Sequence, residues 1–89
     1  MNIDTRWIEP YMTAGFLIES GETEKAREIY AKMKEDMAAA GEPEKNIRII
    51  DNCIEVSYVQ DEIIALKANG GDKAAIAELE KKKRALMLR

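Results

Sequence analysis

Three short breaks that contain glycine divide this chain into four segments, and their spacing constrains the fold more than any other feature. The breaks are Ser20-Gly21, Gly41-Glu42-Pro43 and Asn69-Gly70-Gly71. In the segments between them, apolar residues recur at steps of three and four, the period of one face of an α-helix. Glycine is favoured just after a helix, and proline in the first turn of the next one. The sequence therefore predicts an all-α fold of helical hairpins, a small bundle of three to four helices in a single domain over residues 1–89.

The predicted helices span residues of about 10–20, 22–40, 43–68 and 72–88. Pro10 decides the start of the first helix, because proline has no N–H to donate and its ring clashes with the preceding turn inside a helix. We expect this helix to begin near Pro10, where the missing donor costs least. Asp72 is the expected N-cap of the last helix, since its side chain can accept a hydrogen bond from the backbone of the first turn.

The third segment is the most apolar part of the chain, because 12 of the 20 residues over 47–66 are apolar. At helical spacing four of its charges, Arg48, Asp51, Glu55 and Glu62, gather into one narrow stripe. This pattern favours a helix over the β-strand that the Val, Ile and Tyr of residues 54–59 would otherwise indicate. A chain of this length buries only about 60–65% of its unfolded surface, so neighbouring helices are expected to leave part of the third one uncovered. We therefore expect oligomerisation to complete the bundle. The predicted interface of this homo-oligomer lies at Ile49, Ile50, Cys53, Val56, Ile63 and Ile64.

Three polar residues, Ser57, Gln60 and Asp61, interrupt the apolar face of the third helix at positions i, i+3 and i+4. If that face is buried, each of them needs a hydrogen-bond partner, and an ionised Asp61 needs a cation or several donors. Three interpretations remain open. The residues form a polar layer that fixes the register between subunits or helices, or they lie at an exposed edge of the bundle, or they line a ligand pocket in which Tyr11 or Tyr58 supplies a stacking face.

The stretch from Ala14 to Met33 resembles one hairpin of the tetratricopeptide family. It has a small residue at Ala14, a turn at Gly21, Ala26 where the helices would cross and Tyr30 four residues later. The resemblance covers 20 of the 89 residues and implies peptide binding. The tryptophan, leucine and glycine of the family's first helix have no counterpart here, and no second repeat follows, whereas solenoids need about three.

The only basic run is Lys81-Lys82-Lys83-Arg84, in the last segment. Such a run can contact the phosphates of nucleic acid. Cations near a helix C-terminus are also favoured by the helix dipole, and no aromatic residues are interleaved for base stacking. The net charge of -3 opposes general attraction to nucleic acid or to anionic membranes. We therefore do not expect nucleic acid as the main partner.

The sequence lacks most of the side chains that enzymes commonly use for catalysis. The chain has no histidine, so the commonest general base and metal ligand is missing, and Cys53 is the only cysteine. In its apolar surroundings Cys53 is expected to act as a small buried hydrophobe rather than a nucleophile. We expect no enzyme activity, no cofactor and no metal site. The longest apolar run is too short to cross a bilayer and the first residues are polar, so no membrane association and a cytoplasmic location are expected.

These observations predict a non-enzymatic helical interaction protein, such as an adaptor, an inhibitor or an accessory subunit, that self-associates and binds another macromolecule. The alternative is an oligomer that binds a small ligand at the subunit interface, around Ser57, Gln60 and Asp61. A further alternative is a weak nucleic-acid-binding accessory protein that uses the basic run.

Overall fold

The computed structural model describes residues 5–87, and this part of the chain consists of four α-helices without a strand. Their bounds are α1 Thr5–Glu19, α2 Thr23–Ala39, α3 Glu44–Ala68 and α4 Lys73–Met87. The all-α prediction is confirmed. Asp72 accepts a hydrogen bond from the Ala74 N–H at 3.0 Å, as expected of an N-cap. The predicted end of α4 at residue 88 lies outside the described residues.

The first two breaks end their helices through the same backbone geometry. Gly21 has φ +86° and Gly41 has φ +78°, values at which an L side chain is strained. At each break the glycine N–H and the following N–H turn back to carbonyls of the last helical turn. Glu22 N–H donates to the Leu17 carbonyl at 2.8 Å, and Glu42 N–H donates to the Met37 carbonyl at 3.0 Å. Both breaks are therefore Schellman ends, which satisfy carbonyls that would otherwise lack partners.

The first helix begins earlier than the sequence indicates. We expected a start near Pro10, but α1 begins at Thr5 and Pro10 lies inside it. The extra turn is held by Trp7, which is buried in the core and whose indole Nε1 donates to the Glu42 carboxylate at 3.0 Å. Burial of a large aromatic ring is worth several times the single backbone hydrogen bond that an early proline removes. Packing against a distant residue therefore outweighs the local preference of proline.

The helices pack in chain order, and α3 is the central one. It packs against α2 on one side and α4 on another, and it touches α1 only lightly. No Cα of α1 comes within 8 Å of a Cα of α4 in the described part of the chain. The molecule is elongated, with extents of 44 × 22 × 16 Å. The buried hydrophobic residues are Trp7, Ala14, Ile18, Ala26, Tyr30, Met33, Met37, Ile50, Val56, Val59, Ile63 and Leu86.

This packing buries three of the six residues of the predicted oligomer interface within the single chain, and the interface itself stays a prediction. Ile50, Val56 and Ile63 are buried within the single chain, at 1%, 4% and 2% exposure. Two neighbouring helices cover more of α3 than its apolar circumference led us to expect, because Ile50 lies on one side of the helix and Val56 and Ile63 on another. Ile49 and Cys53 are half-buried, and Ile64 is exposed. A partner could therefore reach only part of the predicted surface.

The hairpin of α1 and α2 forms over the stretch that resembles a tetratricopeptide unit. Ala14 and Ala26 are both fully buried, which allows the two helix backbones to approach each other closely. Small residues at a helix crossing account for this pattern by packing alone.

The glycines at positions 15 and 41 provide a matched test of this geometry. A Cβ at either position meets no atom within 4 Å, so neither substitution is limited by space. Gly41→Ala should lower the free energy of unfolding by about 1 kcal/mol, because it forces an L side chain into the left-handed region. Gly15→Ala lies inside α1 and should raise it by about 0.5–1 kcal/mol. Urea unfolding of both variants measures the two effects, and changes of the same sign would contradict the assigned helix ends.

Candidate functional site

The predicted polar residues do not form one site, because the structure places them on two sides of α3. Ser57 and Asp61 face α2, where Arg27 donates from the same Nη1 to the Ser57 hydroxyl at 3.1 Å and to the Asp61 carboxylate at 2.9 Å. Thr23 donates its hydroxyl proton to the other Asp61 oxygen. Ser57, which is fully buried, donates in turn to the Ile54 carbonyl at 2.6 Å. These four residues, Thr23, Arg27, Ser57 and Asp61, are called the polar layer below.

The polar layer satisfies itself within one chain. The guanidinium of Arg27 supplies the cation that a half-buried Asp61 requires, and it also stacks on the Tyr58 ring, 4.3 Å from the ring centroid. One face of the Tyr58 ring is therefore occupied by Arg27. Of the three interpretations of Ser57 and Asp61, the geometry matches a layer between helices. Sequence reasoning missed Arg27 and Thr23, although their four-residue spacing puts them on one face of α2.

Gln60 lies on another side of α3, where it contacts α4 rather than α2. Lys83 donates to the Gln60 side-chain oxygen at 3.0 Å and to the Glu19 carboxylate at 2.7 Å. Only 14% of the Lys83 side chain is exposed. Lys83 therefore links α4 to both α1 and α3. The other three members of the predicted basic run, Lys81, Lys82 and Arg84, lie at exposed positions. The patch available to phosphates is correspondingly smaller.

An open groove lies between α1 and α4, because these two helices do not pack on each other. Its volume is about 150 Å³, and α3 forms its floor with Ile49, Asn52, Cys53 and Val56. Tyr30 of α2 also contributes. The walls are Tyr11, Gly15, Ile18 and Glu19 from α1, and Leu86 and Met87 from α4.

The lining of the groove is mainly apolar, and its few polar side chains are those of Tyr11, Glu19, Tyr30, Asn52 and Cys53. Tyr11 is the only residue of the predicted ligand set that lines it; Tyr58, Ser57, Gln60 and Asp61 do not. Gly15, Asn52 and Met87 were not predicted from the sequence. The two walls and the floor of the groove come from helices far apart in the chain, so periodicity within one helix could not bring these residues together.

Three ionisable groups that line the groove, Tyr11, Tyr30 and Cys53, have raised pKa values. Cys53 donates to the Tyr11 hydroxyl at 3.7 Å, and the Tyr11 and Tyr30 rings meet edge to face at 6.4 Å. Burial, followed by the neighbouring Cys53, raises the pKa of Tyr11 to about 12 and also raises the pKa of Tyr30. Burial raises the pKa of Cys53, although hydrogen bonds from the two tyrosines oppose that shift. At neutral pH the groove floor is therefore uncharged, and the thiol is not activated.

The outer face of α1 carries a ridge of large apolar side chains that the sequence analysis did not single out. Ile8, Met12 and Phe16 follow one another at steps of four, and they are 43%, 54% and 71% exposed. Their spacing was visible in the sequence, but the predicted start at Pro10 excluded Ile8 from the helix. Because α1 already includes Ile8, this residue shares a helix face with Met12 and Phe16.

Glu42 fixes the start of α1 relative to the turn between α2 and α3. Its carboxylate accepts hydrogen bonds from the Trp7 indole at 3.0 Å and from the Asn46 amide at 3.1 Å. The Arg6 guanidinium lies 3.9 Å from the same carboxylate and over the Trp7 ring. Glu42 is largely shielded from solvent. These contacts hold the first described turn of α1, and with it the helix that forms one wall of the groove, against the turn between α2 and α3.

Within residues 5–87, no group of three or more Cys, Asp or Glu side chains is arranged to hold a metal ion. None of the helices in this region is both long enough and apolar enough to cross a membrane. Comparison of the chain with protein-family models, with curated proteins and with solved structures finds no match.

The polar layer should contribute more stability than an exposed ion pair. Arg27→Met keeps the length of the side chain but leaves Ser57 and Asp61 without their shared donor, and it should lower the free energy of unfolding by about 1–2 kcal/mol. Lys32→Met breaks the exposed pair with Asp36 at 3.3 Å and should change it by less than about 0.5 kcal/mol. Urea unfolding compares the two variants, and equal effects would argue against a structural role for the polar layer.

Alkaline pH should weaken the fold through the groove tyrosines. Because the folded pKa of Tyr11 is about 12 and its ordinary value is 10.0, the folded state keeps this proton over a range in which the unfolded chain loses it. The stability contributed by this group is complete below pH 10 and is lost as the pH rises toward 12. Tyr11→Phe should make the fall of unfolding free energy across that window shallower, while Tyr30 and Cys53 sustain part of it. Denaturant titrations at stepped pH, each referred to neutral pH, measure the slope, and an unchanged slope in Tyr11→Phe would contradict the assignment.

Proposed function

We propose that this chain is a non-enzymatic helical interaction protein, an adaptor, inhibitor or accessory subunit, that binds another macromolecule through the groove between α1 and α4. The observation that carries the proposal is the size and lining of the groove. A volume of about 150 Å³ holds a single benzene-sized group, whereas sites for drug-sized ligands and cofactors usually measure about 300–1,000 Å³. One large apolar side chain of a partner matches this space.

The lining supports the same occupant. Ile49 and Val56 on the floor and Leu86 on the α4 wall offer dispersion contacts to an inserted side chain. The Tyr11 hydroxyl and the Asn52 amide can orient one polar group of the partner backbone beside it. Burial of such an anchor is worth about 1.5–3 kcal/mol, so further contacts along the groove rims must supply the remaining affinity. A peptide or a partner helix offers such contacts, and an isolated small molecule offers few.

The two alternative functions receive less support from the contacts. A small-ligand site around Ser57, Gln60 and Asp61 would have to displace Arg27 and Lys83, which already satisfy these groups. Binding of nucleic acid through residues 81–84 would have to proceed without Lys83 or would have to break its ion pair with Glu19. Each alternative therefore begins with the loss of contacts that the chain already makes, and the groove does not.

Gly15 allows the groove to be blocked without disturbing the core. It lies on the α1 wall with open space around its Cβ position, and a larger residue suits the helix interior better than glycine. Gly15→Leu should fill part of the groove, while Gly15→Ala should leave it open. A displayed library of random peptides, selected on the wild-type chain, should enrich sequences that share one large apolar anchor. Those peptides should bind Gly15→Ala as well as wild type, and Gly15→Leu at least about tenfold more weakly, a loss of about 1.4 kcal/mol.

Cys53 offers a second readout in the same experiment. It is the only cysteine of the chain and lies on the groove floor, so a bound peptide should slow its alkylation by iodoacetamide. Peptides that bind Gly15→Leu with unchanged affinity, or that leave the alkylation rate of Cys53 unaltered, would place the binding surface elsewhere. Failure to enrich any peptide with an apolar anchor would count against the proposed occupant.

A further inference from the structure

The side chain of Lys83 lies across one end of the groove. Its amine donates to the Glu19 carboxylate of α1 at 2.7 Å and to the Gln60 side-chain oxygen of α3 at 3.0 Å, so it joins all three helices there. These three residues are called the Lys83 bridge below. Of the three, only Glu19 lines the groove. The bridge therefore lies where the open space ends.

The Lys83 bridge continues each side of the groove by one helical turn. On α1 and α3, its member lies four residues after a lining residue, Gly15 or Val56. On α4, which runs back along α3 after a short turn, its member lies three residues before Leu86. Steps of three and four return to the same face of a helix. Without the bridge, the same three faces would lengthen the groove by about 5 Å, one turn of a helix.

The position of Lys83 is well defined by its contacts. Its side chain is largely shielded from solvent, and its charged amine makes stronger hydrogen bonds than a neutral donor would. An apolar side chain of a partner that pushed Lys83 aside would break both bonds of the bridge. That loss is comparable to the gain from burying one apolar side chain. A partner therefore gains little from a second apolar side chain at this end of the groove.

We infer that the Lys83 bridge determines the specificity of the groove, because it limits a partner to one large apolar anchor. The inference rests on the proposed function and specifies the partner further. Amphipathic helices that bind in grooves use apolar residues on successive turns, and the bridge excludes the second of these. The partner is accordingly a segment that inserts a single large apolar side chain and has small or polar residues on either side of it.

Lys83→Ala tests this inference, because it removes the amine and most of the side chain and suits a helix interior. A displayed library of random peptides should be selected in parallel on the wild-type chain and on the variant. Wild type should enrich peptides with one large apolar anchor. Lys83→Ala should enrich peptides with a second large apolar residue two to four positions from the first, and these should bind it at least about tenfold more tightly than they bind wild type.

Lys82→Ala is the matched control, because it removes the same charge from the neighbouring, exposed position of α4. It should select the same peptides as wild type. Lys83→Ser is a second variant that leaves Gln60 a hydroxyl within α4, and it should give the same result as Lys83→Ala. Circular dichroism and urea unfolding verify which of the variants keep their helices.

The wild-type selection separates failure of the inference from failure of the proposed function. If wild type enriches peptides with one apolar anchor and the folded Lys83 variants enrich the same peptides, the inference is overturned and the groove proposal stands. Peptides with two anchors that bind wild type and the Lys83 variants equally tightly would also overturn it. If wild type enriches no peptide with an apolar anchor, the proposed function fails, and the inference fails with it.

Discussion

The rest of the structure depends on one constraint, which is that the apolar surface of α3 must be buried by the other helices. This helix carries apolar side chains over most of its circumference, and a chain of 89 residues has few elements with which to hide them. The structure solves the problem by packing α2 and α4 on two different sides of α3, so that Ile50 is buried on one side and Val56 and Ile63 on the other. α1 can then reach α3 only at its edge. The groove is the space that this arrangement leaves between the two outer helices.

The polar layer determines how α2 sits on α3. Apolar side chains alone allow neighbouring packings of similar energy, since they have no directional preference. At the observed position of α2 along α3, one nitrogen of Arg27 donates to Ser57 and Asp61 at once, which directional hydrogen bonds favour over neighbouring positions. A shift by one helical turn would take the Arg27 donor away from Ser57 and Asp61, although Ser57 would keep its bond to the Ile54 carbonyl. The layer therefore selects one register from those that burial would tolerate, and the positions of the groove walls follow from that register.

The helices could be predicted from the sequence because their signals are local. Apolar spacing, the glycines at positions 21 and 41 and the cap at Asp72 each act within a few residues, and the structure agrees with them. The start of α1 could not be predicted in this way, because Trp7 is held by Glu42, which lies 35 residues away.

The site was less predictable than the fold for the same reason. Ser57, Gln60 and Asp61 were correctly recognised as residues that need partners, but their separation onto two faces depends on which helix lies beside each of them. The partners are Arg27 of α2 for Ser57 and Asp61, and Lys83 of α4 for Gln60, and neither partner belongs to α3. The groove depends on an absence of packing between α1 and α4, and no residue pattern within one helix encodes such a gap.

The arrangement of α1 and α4 has a mechanical consequence. The two outer helices are joined across the groove by the side chains of Lys83 and Glu19, at 2.7 Å, and by no close approach of their backbones in the described chain. An outward movement of α1 would stretch this link and widen the groove. Because Glu19 is largely open to water, dissolved salt screens the link. Higher ionic strength therefore weakens this restraint on the width of the groove.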